Sequence, residues 1–308
     1  MKAGSNLEKI LTAGHFAFTG ELGPPRGTDA DEVRKKAAFL KGNVDAVNIT
    51  DNQTAVVRMA SWAASIILIQ EGLEPNFQMV CRDRNRLAMQ SDILGAYAHG
   101  IRNMLCLSGD HCQFGDHPQA RGVFDIDSMQ LISMVKKMRD EGKFLGGADL
   151  EHPPKIFIGA AANPFADPFE WRVHRLAKKI NAGVDFIQTQ CIYNMEKFRK
   201  YIQQANDMGL TEKAYILAGV TPMKSVGMAK YMKNRVPGMD VPDEIIARLQ
   251  GVAKDKQSEE GIRIAIEQIE EFKEMKGVAG VHLMAIEWEH KVPEIAERAK
   301  VLPRPSTD

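Results

Sequence analysis

The stretch CRDRNRLAMQSDILGAYAHGIRNMLCLSGD, residues 81–110, carries one full turn of the pattern on which the fold rests. Arg86–His99 spaces its apolar residues as an amphipathic helix does. Gly100 follows, the residue that most readily ends a helix. Asn103–Leu107 is then a short apolar run, as expected of a parallel strand covered on both faces. Polar residues gather only after the strands: Arg82-Asp83-Arg84-Asn85 follow one, and Ser108-Gly109-Asp110-His111 follow the next.

Outward from this stretch the same unit recurs. Strands are predicted at His15–Thr19, Val44–Thr50, Asn76–Cys81, Asn103–Leu107, Lys155–Ala160, Val184–Thr189, Ala214–Val220 and Gly280–Ile286. Helices are predicted at Asp31–Lys41, Thr54–Glu71, Arg86–His99, Ser128–Glu141, Phe169–Asn181, Met195–Met208, Ser225–Lys233 and Ser258–Met275, the last with Ser258 as its N-cap. In that last helix Ile262, Ala265, Ile266, Ile269 and Phe272 fall on one face, with Glu259, Glu260, Glu267 and Glu270 on others. Eight such alternations predict an α/β chain closed into a (β/α)8 TIM barrel. The expected organisation is a single barrel domain over residues 1–302, followed by a flexible C-terminal tail, 303–308. An open doubly wound sheet is the competitor, weakened because no GxGxxG follows the first strand. Two stretches break the rhythm: HCQFGDHPQARG (residues 111–122) and the long connection 235–256, with room for a short helix.

Lys plus Arg equals Asp plus Glu, 40 each, so the chain lacks the global field that would draw it to nucleic acid or an anionic membrane. No apolar run approaches the roughly 20 residues of a membrane span. The four cysteines, Cys81, Cys106, Cys112 and Cys191, have no CxxC spacing. With no signal-peptide pattern at the start, they predict a reducing, cytoplasmic setting. His111, Cys112, Asp116 and His117 do not match a common zinc spacing, and no metal is expected.

In a barrel the chemistry sits at the C-terminal ends of the strands. There the sequence offers Glu21, Thr50, Asp110, Gln188 and Gln190. Each has a plain structural reading. Glu21 can pair with Arg26, Asp110 can cap a turn, and a buried Gln pair can be satisfied by backbone. The functional reading is that two amides pointing the same way on a strand suit a ligand rich in donors and acceptors, such as a pterin or flavin ring. On the fifth predicted helix Arg172, Arg175 and Lys179 share a face and can offer cations to a diphosphate; a solvated face is the simpler alternative.

These residues resemble the methylenetetrahydrofolate reductase family. Glu21-Leu22-Gly23-Pro24-Pro25-Arg26 is similar to its E-F-F-P-P-R, residues 81–110 to its stretch ending in Gly-Asp, and NAGVDFIQTQ (Asn181–Gln190) to its AGAxFxxTQ. The resemblance implies a cytoplasmic flavoprotein of one-carbon metabolism and methionine biosynthesis. It would reduce 5,10-methylenetetrahydrofolate to 5-methyltetrahydrofolate with FAD, or FMN in its place, and with NAD(P)H as electron donor. It implies Glu21 and Asp110 as catalytic residues: Glu21 donates a proton to the folate, and Asp110 stabilises the cation that forms. Gln190 and Gln188 would hold the pterin. Thr50, Gly109, Asp110, Gly159, Ala160, Arg175 and Lys179 would hold the cofactor. A homo-oligomer is expected.

Departures from the family pattern are Leu22-Gly23 for two aromatics, Gln78 for a His, Ser108 for an Arg, Ala161-Ala162 for Tyr-Pro, and Cys191-Ile192 for aromatics. The segment 111–128 resembles a divergent, anaerobe-type branch. This implies an alternative: a flavoprotein subunit of a larger complex, fed by an electron-transfer partner protein. A non-redox pterin-binding methyl-transfer component is the second alternative.

Overall fold

A computed structural model describes residues 1–306 of the chain. Eight parallel strands close in sequence order: β1 (Ala17–Leu22), β2 (Ala46–Ile49), β3 (Pro75–Val80), β4 (Asn103–Leu107), β5 (Phe157–Ala162), β6 (Phe186–Cys191), β7 (Tyr215–Val220) and β8 (Gly280–Leu283), with β8 back on β1. The predicted barrel is the observed one. Around it lie α1 (Asn6–Thr12), α2 (Ala30–Leu40), α3 (Ser61–Gln70), α4 (Arg86–Ala98), α5 (Ser128–Asp140), α6 (Arg172–Ala182), α7 (Met195–Asp207), α8 (Val226–Arg235), α9 (Asp243–Gln250), α10 (Gln257–Glu274) and α11 (Val292–Arg298).

Local chemistry explains several helix starts. Asn85 accepts from the backbone N–H groups of Leu87 and Ala88 to open α4, and Asp127 and Gln130 form a reciprocal capping box on α5. Two expectations are corrected. Ser258 does not cap α10, which begins at Gln257 without a side-chain cap. The predicted helix from Thr54 begins only at Ser61, because Asn52, Thr54 and Ala55 adopt left-handed backbone angles that a right-handed helix cannot contain. Glu260, off the apolar face of α10, is nonetheless buried. It is 5 % exposed and paired with Arg248 and Arg263.

The barrel interior is layered. At the bottom Leu105, Phe157, Phe186 and Leu217 pack under α1, which stoppers that end with Leu7, Ile10 and Leu11. Phe157 and Phe186 stack with centroids 5.1 Å apart. The start of α1 is pinned by Glu74, whose carboxylate accepts from the N–H groups of Asn6 and Leu7 and from Asn103 Nδ2. Burial pushes the Glu74 carboxyl up, against those hydrogen bonds. Above this floor the interior turns polar, with Thr19, Asn48, Asn76, Gln188 and His282 all buried. The main apolar shell lies outside the strands, where Phe198 meets Phe272 edge-on at 5.4 Å between α7 and α10. Each such fully buried ring contributes about 1.5–3 kcal/mol.

The tail expected at 303–308 falls partly on residues 307–308, which lie outside the described residues. Arg304 is anchored, donating to the buried Asp45 carboxylate and to the Phe16 carbonyl. Among the described residues no helix is long and apolar enough to cross a membrane.

Candidate active site

A cavity of about 550 Å3 opens at the C-terminal mouth of the barrel. Its floor is built by side chains that alternate inward along the strands. On β1, Thr19 and Glu21 share the inner face, and on β8 His282 points to the same place. The sequence pattern ended the first strand too early. Glu21 lies within β1, so strand geometry rather than a loop aims its carboxyl. Its side chain is 17 % exposed, with Oε2 3.5 Å from Nε2 of His282. Arg26, the expected partner, turns outward to Asp116.

Below Glu21 runs a chain of hydrogen bonds. His282 Nδ1 lies 3.0 Å from the Thr19 hydroxyl, which accepts from Gln188 Nε2 at 3.3 Å. Gln188 and Asn48 form a reciprocal amide pair: Asn48 Nδ2 donates to Gln188 Oε1 at 2.6 Å, and Gln188 Nε2 donates to Asn48 Oδ1 at 3.1 Å. Asn76 Nδ2 also donates to Asn48 Oδ1, at 2.8 Å. The Gln188 amide is therefore committed within the barrel, while Gln190, half-buried, lines the cavity above it. His282, Thr19 and Asn48 escaped the sequence reading. Their one signal was a polar residue at an inward position of an otherwise apolar strand.

The β6 wall departs from simple alternation. Gln188 pairs with Leu217 but Cys191 pairs with Gly219, so β6 has one extra residue there. This bulge lets Gln188, Thr189 and Gln190 all line the cavity. It depends on Gly219, where a Cβ would lie 2.4 Å from the Thr189 carbonyl oxygen. Gly219→Ala is expected to destabilise the protein by about 1–3 kcal/mol, as overpacking does, and to distort the cavity. A urea titration checks this, and an unchanged midpoint would contradict it.

The neighbouring wall, at β5, is cationic. Arg172, Arg175 and Lys179 on α6 face the cavity beside Ala161 and Ala162 of β5. Lys179 Nζ donates to the Ala161 carbonyl. Burial, and then the neighbouring Arg175 charge, lowers the Lys179 ammonium to about 8. On β6, burial pushes the Cys191 thiol up to about 12 despite a contact with the Thr221 hydroxyl, so it stays protonated at neutral pH.

The remaining expected residues lie elsewhere. Thr50 is buried at the end of β2, and its hydroxyl has no hydrogen-bond partner among the described residues. Gly109 takes φ +87°, with Val80 and Arg82 against the face a Cβ would occupy. Asp110 is exposed at the rim, where its carboxylate accepts from the Thr54 N–H. Arg82 braces this rim, donating to the carbonyls of Asn52 and Asp110. Gly159 and Ala160 sit deeper in β5 and do not line the cavity; the open face of Gly159 is filled by the Phe186 ring. Among the described residues no three His, Cys, Asp or Glu side chains gather as a metal site.

The sequence model of one family, described as methylenetetrahydrofolate reductase, matches residues 6–300. The chain is 22 % identical to methylenetetrahydrofolate reductase (NADH) 1 of Arabidopsis thaliana over 93 % of its own length and 48 % of the plant protein. It is 22 % identical to 5,10-methylenetetrahydrofolate reductase of Pectobacterium carotovorum, covering 89 % of this chain and 86 % of that one. Among solved structures, a Clostridium thermocellum protein that binds two copies of 5-methyl-5,6,7,8-tetrahydrofolic acid superposes with a TM-score of 0.63 at 14 % identity, over 97 % of this chain and 99 % of that one. The chain thus spans less than half the length of the plant relative and most of the bacterial one.

Proposed function

The chain belongs to the methylenetetrahydrofolate reductase family, and from that premise we propose that it reduces 5,10-methylenetetrahydrofolate to 5-methyltetrahydrofolate with a bound flavin. The observation that carries the reading is the carboxyl of Glu21, aimed by β1 into the mouth cavity beside a buried imidazole. The relative that binds 5-methyltetrahydrofolic acid supports a pterin as the ligand of such a cavity.

The residues fit a flavin. The unpartnered Thr50 hydroxyl is a buried polar atom awaiting a partner, and Arg175 and Lys179 offer cations for the cofactor phosphates. The bound flavin supplies a hydride. The protein's own part is proton and charge management. Glu21 delivers a proton to N10 of the folate, which opens the five-membered ring and leaves a cationic iminium at N5. His282 then faces the carboxylate that remains. Gln190 orients the pterin from the bulged strand. Asp110 stabilises the cation from the rim; its present partner is a backbone N–H, which leaves the carboxylate's second oxygen for that role.

The test is an absorbance spectrum of the purified protein, followed by acid release of the flavin. The colour should bleach on reduction and return on adding methylenetetrahydrofolate. Protein that neither carries nor rebinds flavin would refute the reading. A pH dependence follows from Lys179. Its ammonium, lowered to about 8, loses its proton as pH rises through that value, so affinity for the anionic cofactor should be greatest well below it and fall as pH rises through it. In Lys179→Met that slope should vanish. A slope unchanged in the variant would exclude Lys179 from phosphate binding.

A second reading concerns the electron source. Val57, Phe114 and Phe124 are exposed on the loops flanking the mouth, a surface suited to a partner protein that delivers electrons to the flavin. Rapid flavin reduction by NADH alone, followed by stopped flow, would remove the need for one.

A further inference from the structure

We propose that the reciprocal amide pair Asn48–Gln188 is a positioning device: it keeps the Thr19 hydroxyl donating to His282 Nδ1 and so holds His282 in the tautomer whose Nε2–H faces Glu21. For the role of Glu21 this rests on the reaction proposed above; the tautomer itself does not.

The argument is a count of protons. Gln188 Nε2 has two, donated to Asn48 Oδ1 and to Thr19 Oγ1. The Thr19 oxygen is thereby an acceptor, and its single proton remains to be given. Two acceptors lie in reach, the Val281 carbonyl at 3.4 Å and His282 Nδ1 at 3.0 Å. The nearer one takes it. A neutral imidazole that accepts at Nδ1 carries its proton on Nε2, the nitrogen on the Glu21 side.

The amide chain runs one residue further down, to Asn76, whose own side-chain oxygen has no hydrogen-bond partner among the described residues. Asn76 Nδ2 donates to Asn48 Oδ1. Reversing the Asn48–Gln188 pair alone would place an Asn48 N–H group against that donor. The same reversal would turn the Gln188 oxygen toward Thr19. The hydroxyl would then donate to Gln188 and accept from His282, reversing the tautomer.

The consequence for the site is chemical. With Nε2–H toward Glu21, the imidazole supplies a donor at the moment the carboxyl gives up its proton, so the carboxylate product is the stabilised form. In the opposite tautomer a lone pair would face Glu21 and hold the proton back. Three amides and a hydroxyl, acting through His282, thus decide which way the acid works.

The test uses protein labelled with 15N-histidine, purified with whatever it binds, at a pH where the ring is neutral. A long-range 1H–15N correlation spectrum reads each ring nitrogen, and His282→Gln assigns the signals. We expect an unprotonated Nδ1 and a protonated Nε2 at His282. In Gln188→Met and in Asn48→Ala the Nδ1–H form should appear. Should either variant fail to fold, Thr19→Val is expected to lose the preference and Thr19→Ser to keep it. An Nδ1–H tautomer in the parent protein, or an unchanged tautomer in the folded variants, would overturn the proposal. No folate enters the measurement. A protein that never reduced folate would therefore defeat the reaction assigned above and leave this result standing.

Discussion

Glu21→Gln is expected to slow folate reduction by about one hundred- to ten-thousand-fold, the range a positioned general acid contributes, while reduction of the bound flavin by its donor stays near the parent rate. Gln keeps the shape and loses the transferable proton. Because β1 backbone, paired to β2 and β8, sets the position of residue 21, the amide should occupy the same place without disturbing the cavity. Stopped-flow absorbance separates the two halves of the reaction. Equal losses in both would make Glu21 a structural residue, and no loss in the folate half would remove it from the chemistry.

The second large effect concerns stability at the same end of the barrel. Asp51 follows β2, and its side chain is 1 % exposed. It accepts from both Nη1 and Nη2 of Arg84 and from the Val80 N–H. Burial disfavours the Arg84 charge, yet the Asp51 hydrogen bonds and charge outweigh it, so the guanidinium is held above its ordinary value. Asp51→Ala leaves that N–H unpaired and a largely buried cation without its bidentate partner, though Asp92 still pairs with it. A loss of about 3–5 kcal/mol is expected, the usual cost of breaking a buried pair from one side. Replacing both partners, as in Asp51→Leu with Arg84→Met, should recover much of it. Urea unfolding measures both. A single-variant loss under about 1 kcal/mol would mean that water reaches Arg84.

The eight strands were legible because each is a short apolar run between helix stop signals, and such runs need no tertiary knowledge. Their ends were not. Ala17–Leu22 extends past the predicted Thr19 because the polar Thr19 and Glu21 face a polar interior, which an apolar-run criterion discards. The same criterion hid His282 and Asn48. Glu21, Gln190, Arg175 and Lys179 could be placed at one mouth from strand order alone, and the cavity brings them together. Asp110 went to the rim and Gly159 to the floor side because depth along a strand depends on stagger, which no local pattern encodes. The left-handed run at Asn52, Thr54 and Ala55 was equally invisible. It is held by the Asp110 carboxylate, a partner 56 positions away in the chain.

The Arg304 anchor bears on the order of assembly. The Asp45 carboxylate is 1 % exposed and otherwise satisfied by the Phe18 N–H. Its counter-charge arrives 259 residues later. During synthesis the first strand pair therefore exists for most of elongation as a half-neutralised seam, and the emergence of residue 304 is the moment at which a nascent barrel becomes a fastened one. A chain ending before that residue would hold all eight strands yet keep a buried carboxylate without its cation, a cost that unfolding measurements on the truncated protein would read.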